Sequence, residues 1–129
     1  MGARVAQRHV LERIGDPRLR AYVVWAPILA DDTEEAAKLA VAHLPDARVT
    51  HYWTRDKSVA EAFRASLGLA EGPAWDVYLL YPPGVKWGNG TPVPWYYMHQ
   101  LNDRLPAERR FNGAVLAEKV RELLAGKGH

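Results

Sequence analysis

Three side chains in this sequence stand where chemistry could be done: His51, Asp76 and His99. His51 lies in Thr50-His51-Tyr52-Trp53 and His99 in Tyr97-Met98-His99-Gln100, both β-rich and aromatic. Aromatic walls shield an imidazole from water, and neutral imidazole is a common zinc ligand. Asp76 interrupts the apolar run Trp75–Tyr81, where a carboxylate is costly unless it is paired or ligating. If the three converge, they form a zinc site that activates water for attack on an ester or phosphoester. The spacing carries no metal signature, since His-Glu-X-X-His is absent. The plainer alternative for Asp76 is a strand-end carboxylate that accepts backbone N–H bonds or pairs with an arginine.

The remaining polar candidates read as structural. His9 falls beside an apolar helical stripe and His43 near the negative end of a helix, while His129 is in the tail. Asp56 suits a helix N-cap, and Asp31, Asp32, Glu34 and Glu35 a solvated helix start. Ser58 and Ser66 are helical serines outside any Gly-X-Ser-X-Gly motif. Gly88-Asn89-Gly90 is a turn and not a phosphate loop, because no Gly-Lys-Ser/Thr follows it. Trp87, Trp95, Tyr96 and Tyr97 offer either a stacking surface for an aromatic ligand or packing in a core or interface.

Composition narrows the field. The 17 basic and 15 acidic side chains leave a formal net charge of +2, too little to drive nucleic-acid binding. Basic residues are scattered, apart from Arg104, Arg109 and Arg110. The sequence has no cysteine, which removes disulfides, thiol catalysis and thiolate metal sites together. No apolar run approaches a membrane span, and Met1-Gly2-Ala3-Arg4 lacks the pattern of a signal peptide. A soluble cytoplasmic protein is the expectation. Length predicts one domain, residues 1–125, with a frayed tail over 126–129.

Periodicity supplies the elements that must position these residues. Ala3, Ala6, Val10 and Ile14 recur at helical spacing over residues 3–14, ended by Gly15-Asp16-Pro17. Leu19–Leu29 is apolar on both alternating faces and predicts a strand buried on both sides, with Pro27 at its exit. Asp32 and Glu35 form a capping box for a helix over 32–44 whose buried face is Ala36, Ala37, Ala40, Val41 and Leu44. A short strand follows over 48–53. Thr54 or Asp56 caps a helix through Leu67, with Val59, Ala62, Phe63, Ser66 and Leu67 inward and Gly68 at its end. Gly72-Pro73 then leads into a core strand over 72–81, stopped by Pro82-Pro83-Gly84. The strand over 95–101 completes an antiparallel hairpin with it, in which Asp76 lies across from residues near His99. Asn112 caps a last helix through Leu124, with Val115, Leu116, Val120, Leu123 and Leu124 inward.

This order resembles the thioredoxin-like fold, an α/β three-layer sandwich with a mixed sheet that ends in a β-hairpin and a helix. In that family a proline, usually cis, precedes the penultimate strand, and Gly72-Pro73 before Ala74–Tyr81 matches that position. The helix and strand over 32–53 look like the insertion of peroxiredoxin-like and cytochrome-maturation-type relatives. The family's Cys-X-X-Cys begins the helix that corresponds to residues 3–14, where this chain has Met1-Gly2-Ala3-Arg4. Dithiol redox chemistry is therefore excluded. The family's central first strand finds no residues here to build it. Either the flanking strands close up or a second chain fills the gap, so the resemblance implies a homodimer.

The function expected first is a redox-inactive binding or interaction module with no cofactor. Its ligand, a small molecule, would sit near Pro73, Trp95, Tyr96 and Tyr97. The alternative is a small zinc-dependent hydrolase built on His51, His99 and Asp76. Neither nucleic acid nor membrane is an expected partner.

Overall fold

The computed structural model describes residues 2–26, 33–42, 46–88 and 90–127. His43, His129, Asn89, Pro27, Asp31 and Asp32 lie outside the described residues. The elements run α1 (Gly2–Ala6), β1 (Ala21–Trp25), α2 (Glu34–Val41), β2 (Val49–Trp53), α3 (Ser58–Leu67), β3 (Val77–Leu80), β4 (Tyr96–His99) and α4 (Gly113–Leu124). α1 widens into a π turn over Gln7–Leu11, and two 3-10 turns, Asn102–Arg104 and Ala107–Arg109, join β4 to α4. The described residues thus form a mixed α/β protein of four helices and two small sheets. None of those helices is long and apolar enough to cross a membrane.

The strands pair in two separate sheets, β1 with β2 in parallel and β3 with β4 antiparallel. The parallel pair runs in register from Ala21 opposite Val49 to Trp25 opposite Trp53. It is bracketed by Ala21 N–H to Arg48 O (3.1 Å) and Thr54 N–H to Trp25 O (2.8 Å). Arg48 ties this pair to the first helix. Its guanidinium donates to Leu11 O at 2.7 Å and Asp16 O at 3.2 Å, and to Ile14 O. Carbonyls at a helix end lack intrahelical partners, and a cation there satisfies them. Arg48 is held in place by Asp46 at 2.8 Å.

β1 is not buried on both sides. Tyr22 is 66% exposed, Val24 44% and Tyr52 52%, so one face of the parallel pair is open. Alternate residues Val23, Trp25, His51 and Trp53 are half-buried on the other face. The strand's apolar character is met by one layer only, and continuous hydrophobicity did not distinguish one covering layer from two. α2 begins with Thr33 as its cap, since the Thr33 hydroxyl accepts Ala36 N–H at 3.1 Å. Ala37 is buried but Ala36 is exposed, as is Leu39, so the covered face is narrower than the one expected.

The β3–β4 hairpin does have two covered faces. On one, Tyr78, Leu80, Tyr96 and Met98 meet Val10 and Ile14 after α1 and Leu116, Ala117 and Val120 of α4. On the other, Val77, Leu79 and Tyr97 meet Leu67, Leu69, Ala74, Leu101 and Leu105. α3 contributes Ala60, Phe63 and Leu67 to its inner side, whereas Ala62 is exposed, one step from its expected place. The hairpin strands are shorter than the apolar runs around them. Gly72 (φ 75°) turns the chain and Asp76 (φ 50°) takes a left-handed conformation, so pairing starts only at Val77. The Gly72–Pro73 peptide bond is trans, and Ala74 N–H donates to Ala60 O at 2.8 Å. α4 starts as expected, with the Asn112 side chain accepting Val115 N–H at 3.1 Å. Gly126 and Lys127, the first two residues of the tail, are hydrogen-bonded back to Leu123 O and Glu122 O, each at 3.0 Å.

Candidate functional site

His99 is fully buried, and both of its ring nitrogens are engaged. Leu101 N–H donates to Nδ1 at 3.0 Å, and Nε2 lies 2.8 Å from Pro106 O. Because Nδ1 accepts, Nε2 carries the proton and donates to the carbonyl, and the ring is neutral. Phe111 N–H donates to His99 O at 2.8 Å, and a single bridge joins His99 to Arg110. His99 therefore organises the whole segment between β4 and α4. A zinc ion on this ring would have to displace one of those backbone partners.

His51 sits on the other sheet, on its half-buried face. Trp25 Nε1–H donates to His51 Nδ1 at 3.1 Å, and the two rings stack at 6.1 Å and 12°. His51 Nε2 is buried without a hydrogen-bond partner. Asp76 lies at the end of the hairpin, where its carbonyl accepts Gln100 N–H at 3.0 Å. Among the described residues no three of His, Asp and Glu come together to hold a metal ion. Asp76 and His99 are hairpin neighbours, but His51 is not brought to them within one chain. His9, beside the first helix's stripe, packs its ring on Gly113 and buries Nδ1 without a partner. Neither Thr54 nor Asp56 caps α3: Lys57 holds the N-cap position without a side-chain bond, and Asp56 accepts the Ser58 N–H and hydroxyl, which hold its carboxyl below the usual range.

The aromatic stretch after the Gly/Pro loop is half-buried and already carries cations. The Arg109 guanidinium lies 4.5 Å from the Tyr96 ring centroid and 5.0 Å from that of Tyr97. Lys119 Nζ lies 5.0 Å from Tyr96 and 5.9 Å from Trp95, and it pairs with Glu122 at 3.3 Å. A cation over an aromatic face is attracted by the ring quadrupole. Each of these rings thus has a cation of the chain itself beside it. Arg109 Nη1 is buried with no hydrogen-bond partner. Pro73 is half-buried behind the Gly72 turn.

An open groove of about 450 Å³ lies close by, lined by Trp75, Gln100, Leu101, Asn102, Asp103 and Arg104. The segment that His99 organises provides five of the six, and Trp75 faces them from the other arm of the hairpin. Tyr78 donates its hydroxyl to Gln100 Oε1 at 3.0 Å. Burial, reinforced by the Asp76 charge, pushes the Tyr78 phenol up, so it stays a donor. Asp103 pairs with Arg110 at 3.1 Å. Asn102 holds φ 53°, a conformation asparagine adopts more readily than most residues. Of these groove residues the sequence offered a signal only for Arg104, as part of the Arg104–Arg110 cluster. Nothing local marked Trp75 or Gln100 as partners across the hairpin.

Among the described residues that line the groove, none is a serine, threonine or histidine. Comparison with known proteins finds no matching family model, no matching curated protein and no matching solved structure.

Proposed function

We propose that this chain is a redox-inactive, thioredoxin-like α/β module that binds a small molecule and acts as a homodimer. The groove between Trp75 and the Gln100–Arg104 segment carries the reading. It is concave, within the size range of small-molecule sites, and built beside the Gly72–Pro73 turn. The absence of cysteine closes thiol chemistry to it. The element order, a parallel strand–helix–strand unit, a helix, an antiparallel hairpin and a closing helix, is the one this reading expects, while its single mixed sheet is replaced by two separate two-stranded sheets among the described residues.

Two features support the dimer. A two-stranded sheet is marginal by itself, and the parallel pair has no further strand among the described residues. Tyr22, Val24 and Tyr52 also leave it an uncovered apolar face. A second copy would cover that face or extend an open edge. Light scattering of the chain at micromolar concentration should give a dimeric mass, and a monomeric mass overturns the dimer. Elemental analysis of protein purified without an affinity tag tests the binding-module reading against the hydrolase. Zinc near one per chain would overturn it.

A further inference from the structure

We infer that the groove takes a small planar carboxylate, held by Arg104 and stacked against Trp75. The inference rests on the reading above that this groove is the ligand site. Its basis is an imbalance between donors and acceptors. The groove is lined by one guanidinium and one carboxylate. The carboxylate, Asp103, is turned to Arg110 at 3.1 Å. Arg104 is in ion-pair contact with no carboxylate among the described residues. Its guanidinium instead lies along the Gly72 turn, where a Cβ at position 72 would stand 3.3 Å from Nη1. Gln100 adds to the same bias. Its carbonyl oxygen accepts the Tyr78 hydroxyl at 3.0 Å, and its NH2 supplies two further donors.

Asp103 already answers Arg110, so the lining charge still to be met by an acceptor is that of Arg104. A carboxylate supplies two oxygens in the plane of a guanidinium fork. Trp75 is half-buried and adds a flat apolar wall, which favours a ligand whose body is planar over a bare anion. Asp76 follows Trp75 in the chain but does not line the groove.

The test is NMR titration of the full chain with phenylacetate, phenylacetamide and inorganic phosphate. The Trp75 indole and the Gln100 side-chain amide are the reporters. Phenylacetate should move both and saturate. Phenylacetamide should bind roughly fivefold more weakly or worse, as should phenylacetate to Arg104→Gln, in line with an exposed charge-assisted contact. Arg104 is exposed, so the variant should keep the wild-type spectrum elsewhere; Trp75→Leu is a second variant, expected to weaken phenylacetate but not phosphate. Equal binding of the amide, or no effect of Arg104→Gln, overturns the carboxylate while the groove survives as a site. Phosphate binding as tight as phenylacetate overturns the planar body. If none of the three compounds moves the reporters, the groove reading falls as well.

Discussion

Replacing His99 with leucine tests whether this histidine is a structural hub or a reactive group. The substitution keeps an apolar side chain of similar bulk in a fully buried position and removes both hydrogen bonds. Leu101 N–H, on a residue only 3% exposed, loses its acceptor. An orphaned buried donor costs about 1–3 kcal/mol. Pro106 O loses its donor too, but Pro106 is exposed and water can replace the imidazole, so that part is about 1 kcal/mol or less. The sum is about 1–4 kcal/mol, a large share of the ~5–15 kcal/mol that holds a domain together. Urea denaturation followed by circular dichroism measures it. With a slope of about 2 kcal/mol/M, the midpoint should fall by about 0.5–2 M at unchanged slope. His99→Gln can offer both an acceptor and a donor and should recover part of the loss. If leucine costs less than about 1 kcal/mol, or glutamine is no better than leucine, the backbone contacts do not matter and the argument fails.

Two further tests concern the joints of the fold. A Cβ at Gly113 would stand 2.5 Å from His9 Cδ2 and 2.6 Å from Cγ, so Gly113→Ala should destabilise by about 1–3 kcal/mol. His9→Ala in the same chain should relieve most of that clash, and a double-mutant cycle with strictly additive effects would argue that the ring does not pack there. The Arg48 guanidinium beside Asp46 holds that carboxyl down at about 2, from an ordinary value of 3.8. Its depressed value adds stability above the unfolded-state range and withdraws it as pH falls from about 4 toward 2. Asp16 behaves alike, lowered chiefly by Arg18. Acid titration of stability should show that fall, and Arg48→Gln should flatten it while destabilising the chain at neutral pH. An unchanged acid profile in Arg48→Gln would refute the assignment.

Much of this chain was legible because its signals are local. Asn112 caps α4 because its side chain needs only an N–H three residues on, and Gly68 closes α3 for an equally short-range reason. The prolines at 82 and 83 bound β3, and the Gly/Pro-rich stretch over 81–95 reads as loop with no crossover helix, so the next strand was expected antiparallel to it, as it is. The absence of cysteine settles the thiol question from composition alone. Other features depend on which surfaces meet. An apolar run reads the same whether one face or both are covered, so only the fold separated β1, open at Tyr22, from β3, covered on both sides. His51 and His99 looked alike in sequence. The fold gave His99 two backbone partners and left His51 with Trp25, because a ring's partners come from elements whose register is a tertiary outcome. The groove joins Trp75 to Arg104 across a hairpin end shaped by left-handed residues at 76 and 102. Hydrogen bonds and steric preferences over a few residues are written in the chain itself; contacts between residues decades apart in number exist only once packing has chosen how the elements lie.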